Sequence, residues 1–255
     1  MSDDRPLLQL KNATKVYANG TVALQALSLT VRAGEFVSLV GASGCGKSTV
    51  LRAIAQLSSL TAGELHWSGD RPERDLAFVF QEAALMPWAT VIENISLPLI
   101  LAGMPRRQAR AAAQAALHRV GLQGSERAYP RQLSGGMKMR VSIARALVMQ
   151  PRVLLMDEPF GALDEITRGK LNEELLVLWQ QQQWTTIFVT HNIYEAVYLS
   201  SRIVVLAASP GRVFAEVAIA APYPRSPDFR TSVQCLDYCR TVSQHLQAAM
   251  SEVSV

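Results

Sequence analysis

The sequence predicts an α/β fold: a mostly parallel β-sheet, an antiparallel β subdomain at the N-terminus and a helical subdomain inserted in the middle. Three observations predict it. The opening segments LQLKNATKVY and LSLTVRAGE alternate apolar and polar residues. Three later runs, Val153–Met156, Thr186–Val189 and Ile203–Leu206, are apolar almost without interruption. Between these two regions, residues 87–145 carry helical periodicity.

Each element follows from its pattern. Alternation places Leu27, Leu29 and Val31 on one face of an extended segment, the mark of antiparallel strands with one wet side. Glu35–Val40 reads as a short strand ending on a glycine, and Thr49–Leu57 as a helix. Leu76–Phe80 is a further strand. In the helical region Ala109, Ala113, Ala116, Leu117 and Val120 share one face, with Arg106, Arg107 and Arg110 near its start. The later apolar runs are hydrophobic on both faces, as strands covered by helices on both sides must be. Leu171–Trp179 reads as the helix between two of them. After Ala207, Gly and Pro punctuation (SPGR, PYPRSP) marks the expected end of the compact core. A short C-terminal tail, residues 207–255, is expected to hold one or two short helices within Asp228–Met250. No internal repeat is present, so residues 1–255 read as one domain.

Composition narrows the classes. A chain of 255 residues with 49% hydrophobic and 18% charged side chains is globular rather than disordered. Lys and Arg number 25 against 21 Asp and Glu, a net charge of +4, and no basic block occurs, so no nucleic-acid partner is expected. The start, MSDDRPLL, lacks an apolar run, so no secretory signal is expected. The most apolar stretch, Ile95–Met104, is far shorter than the roughly 20 residues of a spanning helix. The chain is expected to be soluble by itself. Cys45, Cys235 and Cys239 form no disulfide framework and suit a reducing cytoplasm. The i, i+4 spacing of Cys235 and Cys239 places both thiols on one helix face, without the further ligands of a metal site.

The chemistry lies in local motifs. Gly41-Ala42-Ser43-Gly44-Cys45-Gly46-Lys47-Ser48-Thr49, between a strand and a helix, matches the phosphate-binding P-loop. Its glycines let backbone N–H groups turn inward onto phosphate oxygens, and the helix N-terminus adds a favourable dipole. Gly41, Ser43, Gly44, Cys45, Gly46, Lys47, Ser48 and Thr49 are therefore candidate ATP-binding residues. Lys47 reaches the β- and γ-phosphates, and the Ser48 hydroxyl ligates Mg²⁺. Cys45 reads as a small filler whose place at a helix N-terminus could lower its thiol pKa. Downstream, Val153-Leu-Leu-Met-Asp157-Glu158 ends a buried strand in two carboxylates. Asp157 can approach Mg²⁺ beside the P-loop, and Glu158 can act on the attacking water as general base or orienting group.

Leu133-Ser134-Gly135-Gly136, upstream of Glu158, resembles the signature motif of the ATP-binding cassette (ABC) ATPases. Other elements stand in family order. Tyr17 sits where an aromatic stacks on adenine, and Gln81 follows the strand LAFVF as the Q-loop glutamine does. Gly161-Ala162-Leu163-Asp164 resembles the D-loop, and His191 the switch histidine. The likeness covers roughly Leu7 to Leu206. It implies an ATPase whose sites form between two cassettes, head to tail, each taking the P-loop of one chain and the signature of the other, whose Ser134 and Gly136 would bind the γ-phosphate across the interface; Gly135 and Asp164 are further nucleotide-binding candidates. His191 would hold the γ-phosphate and position the water with Glu158. Gln81 would join the metal ligands, sense the nucleotide and couple it to a membrane partner.

The chain departs from the family pattern at Met137, where the signature usually has Gln, at Lys138 and Met139, and at Asn192, often Asp. Arg140 keeps the usual arginine. The changes bear on dimer closure and leave Lys47, Ser48, Asp157, Glu158 and His191 in place, so an active, slow ATPase is expected.

Phe80–Leu99, with its Met86-Pro87-Trp88, and Ser209-Pro210-Gly211-Arg212 resemble the importers of nitrate, sulfonate, taurine and bicarbonate. That implies a homodimer bound peripherally at the cytoplasmic face of the inner membrane. Its partners would be transmembrane permease subunits and, indirectly, an extracytoplasmic substrate-binding protein. The rival readings are an exporter or lipoprotein-release cassette, and a non-transport cassette of translation or DNA repair. One P-loop, one signature and no sustained heptads speak against the non-transport types.

Overall fold

A computed structural model of the chain describes residues 6–68 and 75–251. The acidic first residues, on which the expectation about a signal partly rests, and the last four of the C-terminal tail lie outside the described residues. A three-stranded antiparallel sheet has the order β2-β1-β4, with β1 Pro6–Val16, β2 Val22–Arg32 and β4 Ala62–Trp67. A six-stranded sheet has the order β5-β6-β7-β3-β8-β9. Its strands are β3 Phe36–Gly41, β5 Leu76–Val79, β6 Val153–Asp157, β7 Thr185–Val189, β8 Arg202–Ala207 and β9 Arg212–Ala218. All pairs run parallel except β8 with β9.

Period-two alternation assigns each central strand to two cores. Val37, Leu39, Leu155, Ile187, Val189, Val204 and Leu206 face the antiparallel sheet and helix α1 (Lys47–Ile54). Phe36, Leu154, Met156 and Phe188 face the opposite side, where they meet α5 (Glu165–Gln182) and the helical insertion. There Phe36 packs edge-on against Trp179, with ring centroids 5.7 Å apart, and the Trp179 indole donates to Trp184 O at 2.7 Å. The buried strands read as continuous apolar runs because both faces are covered.

The insertion between β5 and β6 holds α2 (Val91–Leu101), α3 (Arg106–Arg119), a 3-10 turn at Pro130–Gln132 and α4 (Gly135–Leu147). Ala109, Ala113, Ala116 and Leu117 form the buried stripe of α3. Thr90 and Glu93 close a reciprocal capping box at the start of α2.

The C-terminal part corrects the sequence reading. The compact core does not end near Ala207: β9 pairs with β8 beyond the Gly/Pro turn. A short 3-10 helix, Pro227–Thr231, precedes α7, Val233–Ser251, which is long where a short helix is expected. Its Cys235, Cys239, Val242 and Ala249 bury against Val40, Ile203 and Val205 of the sheet and Ala196 and Val197 of α6 (Ile193–Leu199). The turn residues that punctuate the sequence reverse the chain onto the sheet edge. Strand β4, with only half-buried and exposed residues, carries too weak a pattern to read from sequence.

Candidate active site

The site lies at the C-terminal edge of the parallel sheet, where β3 feeds the P-loop. The loop turns through Gly46 at φ +91°, and a Cβ there would fall 2.7 Å from Leu24 Cδ2 and 2.8 Å from Ala23 O. Only glycine fits a position both left-handed and pressed on a neighbouring strand. Lys47 is buried, and its ammonium donates to Gly41 O at 2.9 Å and Ala42 O at 3.0 Å. The positive charge is thus held inside the loop rather than in water, 4.0 Å from Glu158 Oε1. Tyr17 and Thr49 share a hydrogen bond of 3.2 Å between their hydroxyls. Tyr17, Ser43, Gly44, Gly46, Lys47, Ser48, Thr49 and Glu158 line one open concavity.

Strand β6 brings two carboxylates to the same edge. The Ser48 hydroxyl donates to Asp157 Oδ1 at 2.9 Å. Burial pushes the Asp157 carboxyl up; the Ser48 hydrogen bond opposes this and the neighbouring Glu158 charge adds to it. A hydroxyl and a carboxylate in contact make a hard oxygen pair, the donor chemistry Mg²⁺ takes. Glu158 stands at φ +45°, a left-handed conformation costing of order 1–2 kcal/mol outside glycine. Its backbone N–H donates to Val189 O at 2.9 Å, and its Oε2 lies 3.1 Å from His191 Nδ1. Lys47, Ser48, Asp157, Glu158 and His191, from two strand ends and one helix, therefore meet in one place.

Other candidates stand elsewhere. Cys45 is wholly buried in the core beneath the loop, so its side chain cannot reach a phosphate. Burial pushes its thiol up, against the opposing pull of Lys47. The expectation of a lowered thiol pKa is therefore wrong, because desolvation outweighs the helix N-terminus. Gln81 lines a second concavity with Glu82, Leu85, Gly135, Met139 and Leu163. Ser134 caps α4, its Oγ accepting from Met137 N–H at 3.3 Å, and neither it nor Gly135 or Gly136 lines the P-loop concavity. The Met137 side chain packs on the helical core. Asp164 caps α5 by accepting from Thr167 N–H at 2.9 Å, which holds its carboxyl below the usual range. The sequence reading missed Thr21, Val22, Ala23 and Ser209, which complete the P-loop concavity. The Ser209-Pro210-Gly211-Arg212 segment was the available signal for Ser209, but nothing local shows that it folds back onto the loop.

The family described as ABC transporter matches residues 24–161, more than half of the chain. The chain belongs to that family. Its relatives include an uncharacterized ABC transporter ATP-binding protein, MJ0412, of Methanocaldococcus jannaschii, 45% identical over 241 residues, covering 92% of this chain and 89% of the relative. An aliphatic sulfonates import ATP-binding protein, SsuB, of Bacillus cereus is 46% identical over 211 residues, covering 81% and 83%. The cassette is also similar to the dimeric structure of MJ0796, a bacterial ABC transporter cassette, with a TM-score of 0.74 and 36% identity over 84% of this chain and 100% of that one. A second MJ0796 structure, with the same TM-score of 0.74, is a post-hydrolysis state bound to ADP and Pi. The cassette is accordingly an ATP-binding ATPase of the ABC family.

Proposed function

We propose that this cassette powers an importer of small anions of the nitrate, sulfonate, taurine and bicarbonate kind. It would work as two identical copies beneath transmembrane permease subunits served by an extracytoplasmic substrate-binding protein. The observation that carries this reading is the 46% identity to a protein named for aliphatic sulfonate import. Among the described residues no helix is long and apolar enough to cross a membrane, which suits a peripheral subunit at the cytoplasmic face.

The geometry supports a mechanism. Lys47, held inside the loop by two carbonyls, meets the β- and γ-phosphates. Ser48 and Asp157 are the residues that would hold Mg²⁺, which supplies neutralisation of charge on the phosphate oxygens. Glu158 accepts the proton of the attacking water as its oxygen bonds to the γ-phosphorus and the bond to the bridging oxygen of ADP breaks. His191, tied to Glu158 through Nδ1, offers its other ring nitrogen to the γ-phosphate. Tyr17, which lines the concavity, would stack on adenine. Ser134, Gly135, Gly136 and Asp164 lie outside that concavity, as they must if a second copy supplies them.

The concavity beside Gln81 suits a short helix from the permease. Its walls are fixed. Arg145 donates to Ala84 O at 2.8 Å and Ala83 O at 2.9 Å. Next to the wall residue Leu85, buried Asn94 holds Met86 by accepting from its N–H at 2.8 Å. Gln81 is then the candidate link between nucleotide and permease.

Two measurements test the reading. Mg²⁺-dependent hydrolysis should rise faster than linearly with protein concentration; a linear rate down to monomeric protein would sink the two-chain site. In proteoliposomes with permease and binding protein, one of the named anions should stimulate hydrolysis and accumulate inwards relative to the binding-protein side. Outward movement, or indifference to all of them, would reject the importer.

A further inference from the structure

We propose that Glu195, outside the phosphate-binding constellation, is the positioning residue of the switch loop: through Thr190 and Asn192 it fixes where His191 meets Glu158. This rests on the reading of His191 given above. Glu195 stands in the first turn of α6 and is only 5% exposed. The Thr190 hydroxyl donates to its Oε2. Thr190 Oγ1 in turn accepts from Asn192 N–H at 3.0 Å, and Asn192 Oδ1 accepts from Glu195 N–H at 3.1 Å. The three residues close a ring around His191, whose own side chain is 58% exposed and is held by Glu158.

Helix capping does not account for the acid. The cap needs only Asn192 and the Glu195 backbone N–H, which any residue supplies. A carboxyl buried here costs desolvation, and burial pushes it up. Its Oε1 is sealed from water, as is Oδ1 of Asn172 on α5, whose side chain hydrogen-bonds the Glu195 carboxyl. Water cannot serve either oxygen. The carboxyl therefore takes its side-chain partners from two elements, the Thr190 hydroxyl of the switch loop and the Asn172 side chain of α5. That helix also carries Arg168, which holds the carbonyls of Leu163 at 2.9 Å and Phe160 at 3.3 Å. The His191 loop and the Gly161–Asp164 loop thus share one joint.

The test is steady-state ATPase kinetics of Glu195→Gln, Glu195→Ala, Thr190→Val, His191→Ala and the Glu195→Ala/His191→Ala pair. Glutamine has the same shape and keeps an oxygen that accepts from Thr190, and it should keep kcat within about threefold. Alanine should lower kcat roughly 10- to 100-fold, the scale of a misplaced catalytic group, with KM for ATP within about twofold. On the His191→Ala background the alanine change should cost almost nothing more. A loss that persists in full on that background, a glutamine variant as poor as alanine, or a KM that rises in step would overturn the proposal. Unchanged kcat in His191→Ala overturns instead the switch-histidine reading, and the proposal with it. Should Glu195→Ala fail to fold, Thr190→Val, of the same shape without the hydroxyl, carries the same kcat expectation.

Discussion

Gly211 lies directly behind Cys45: a Cβ on Gly211 would fall 2.4 Å from the Cys45 carbonyl oxygen and 2.7 Å from Ala23 O. The loop after β8 therefore braces the back of the P-loop. Gly211 N–H donates to Ala23 O at 3.1 Å, and its carbonyl accepts from Gln25 N–H at 3.0 Å.

Gly211→Ala should displace backbone against backbone, which no side-chain rotation relieves. A loss of about 1–3 kcal/mol is expected, lowering Tm by roughly 3–10 °C. Nucleotide affinity should fall with it, because the P-loop is the surface displaced. Thermal unfolding and titration with a fluorescent ATP analogue check both; unchanged affinity would separate the brace from the loop.

Glu158→Gln should keep ATP binding and lose about 10²- to 10⁴-fold in kcat, the usual contribution of a general base. With ATP and Mg²⁺ present, the variant should accumulate as dimer on size exclusion. A variant that hydrolyses ATP near the wild-type rate would remove Glu158 from the chemistry.

Glu195 also makes a stability prediction with a sign. Burial raises its carboxyl, more than the Thr190 and Asn172 hydrogen bonds and the Arg168 and His191 charges lower it. A carboxyl raised on folding gives its full contribution below the unfolded range, about 4.3, and loses it as pH rises through the higher folded value. Glu195→Gln has no such loss. Its Tm should match wild type near pH 4 and exceed it increasingly as pH rises, then level off. A constant difference across that range would mean that Glu195 does not titrate differently in the fold.

All three cysteines are buried and free. Burial raises the thiols of Cys45 and Cys235, and pushes that of Cys239 to about 12 with help from neighbouring Cys235. Folded protein should resist iodoacetamide at pH 8, and urea-unfolded chain should take up three adducts by intact mass. Rapid labelling of Cys45 in the folded chain would mean that the P-loop opens.

Much of this was legible before the structure. Val153–Asp157 and Thr185–Val189 are apolar on both faces, and a strand covered on both sides leaves that trace in sequence. The P-loop and the Asp157-Glu158 pair are local patterns, because phosphate binding needs a contiguous turn. What escaped depends on distant partners. The spacing of Cys235, Cys239 and Val242 becomes a core stripe only when the sheet face of Val40, Ile203, Val205 and Val217 is known. Cys45 looks exposed in a glycine-rich loop, yet it is the residue the loop turns inward. A glutamate in the first turn of a helix reads as solvated; the burial of Glu195 comes from α5 packing above it, which no local window contains.

The strand order carries a dimensional consequence. The P-loop leaves β3 and the two acids leave β6, and β7 lies between them. Their separation is therefore two strand spacings, roughly 9.5 Å, set by backbone hydrogen bonding rather than by any side chain. That gap acts as a gauge block: substitution can change what stands on either jaw, but not how far apart the jaws are. The side chains close that span, bringing the Lys47 ammonium to 4.0 Å from Glu158 Oε1, but the backbone positions they reach from are set by the sheet itself. Redesign of the chemistry at this edge would inherit the same backbone spacing.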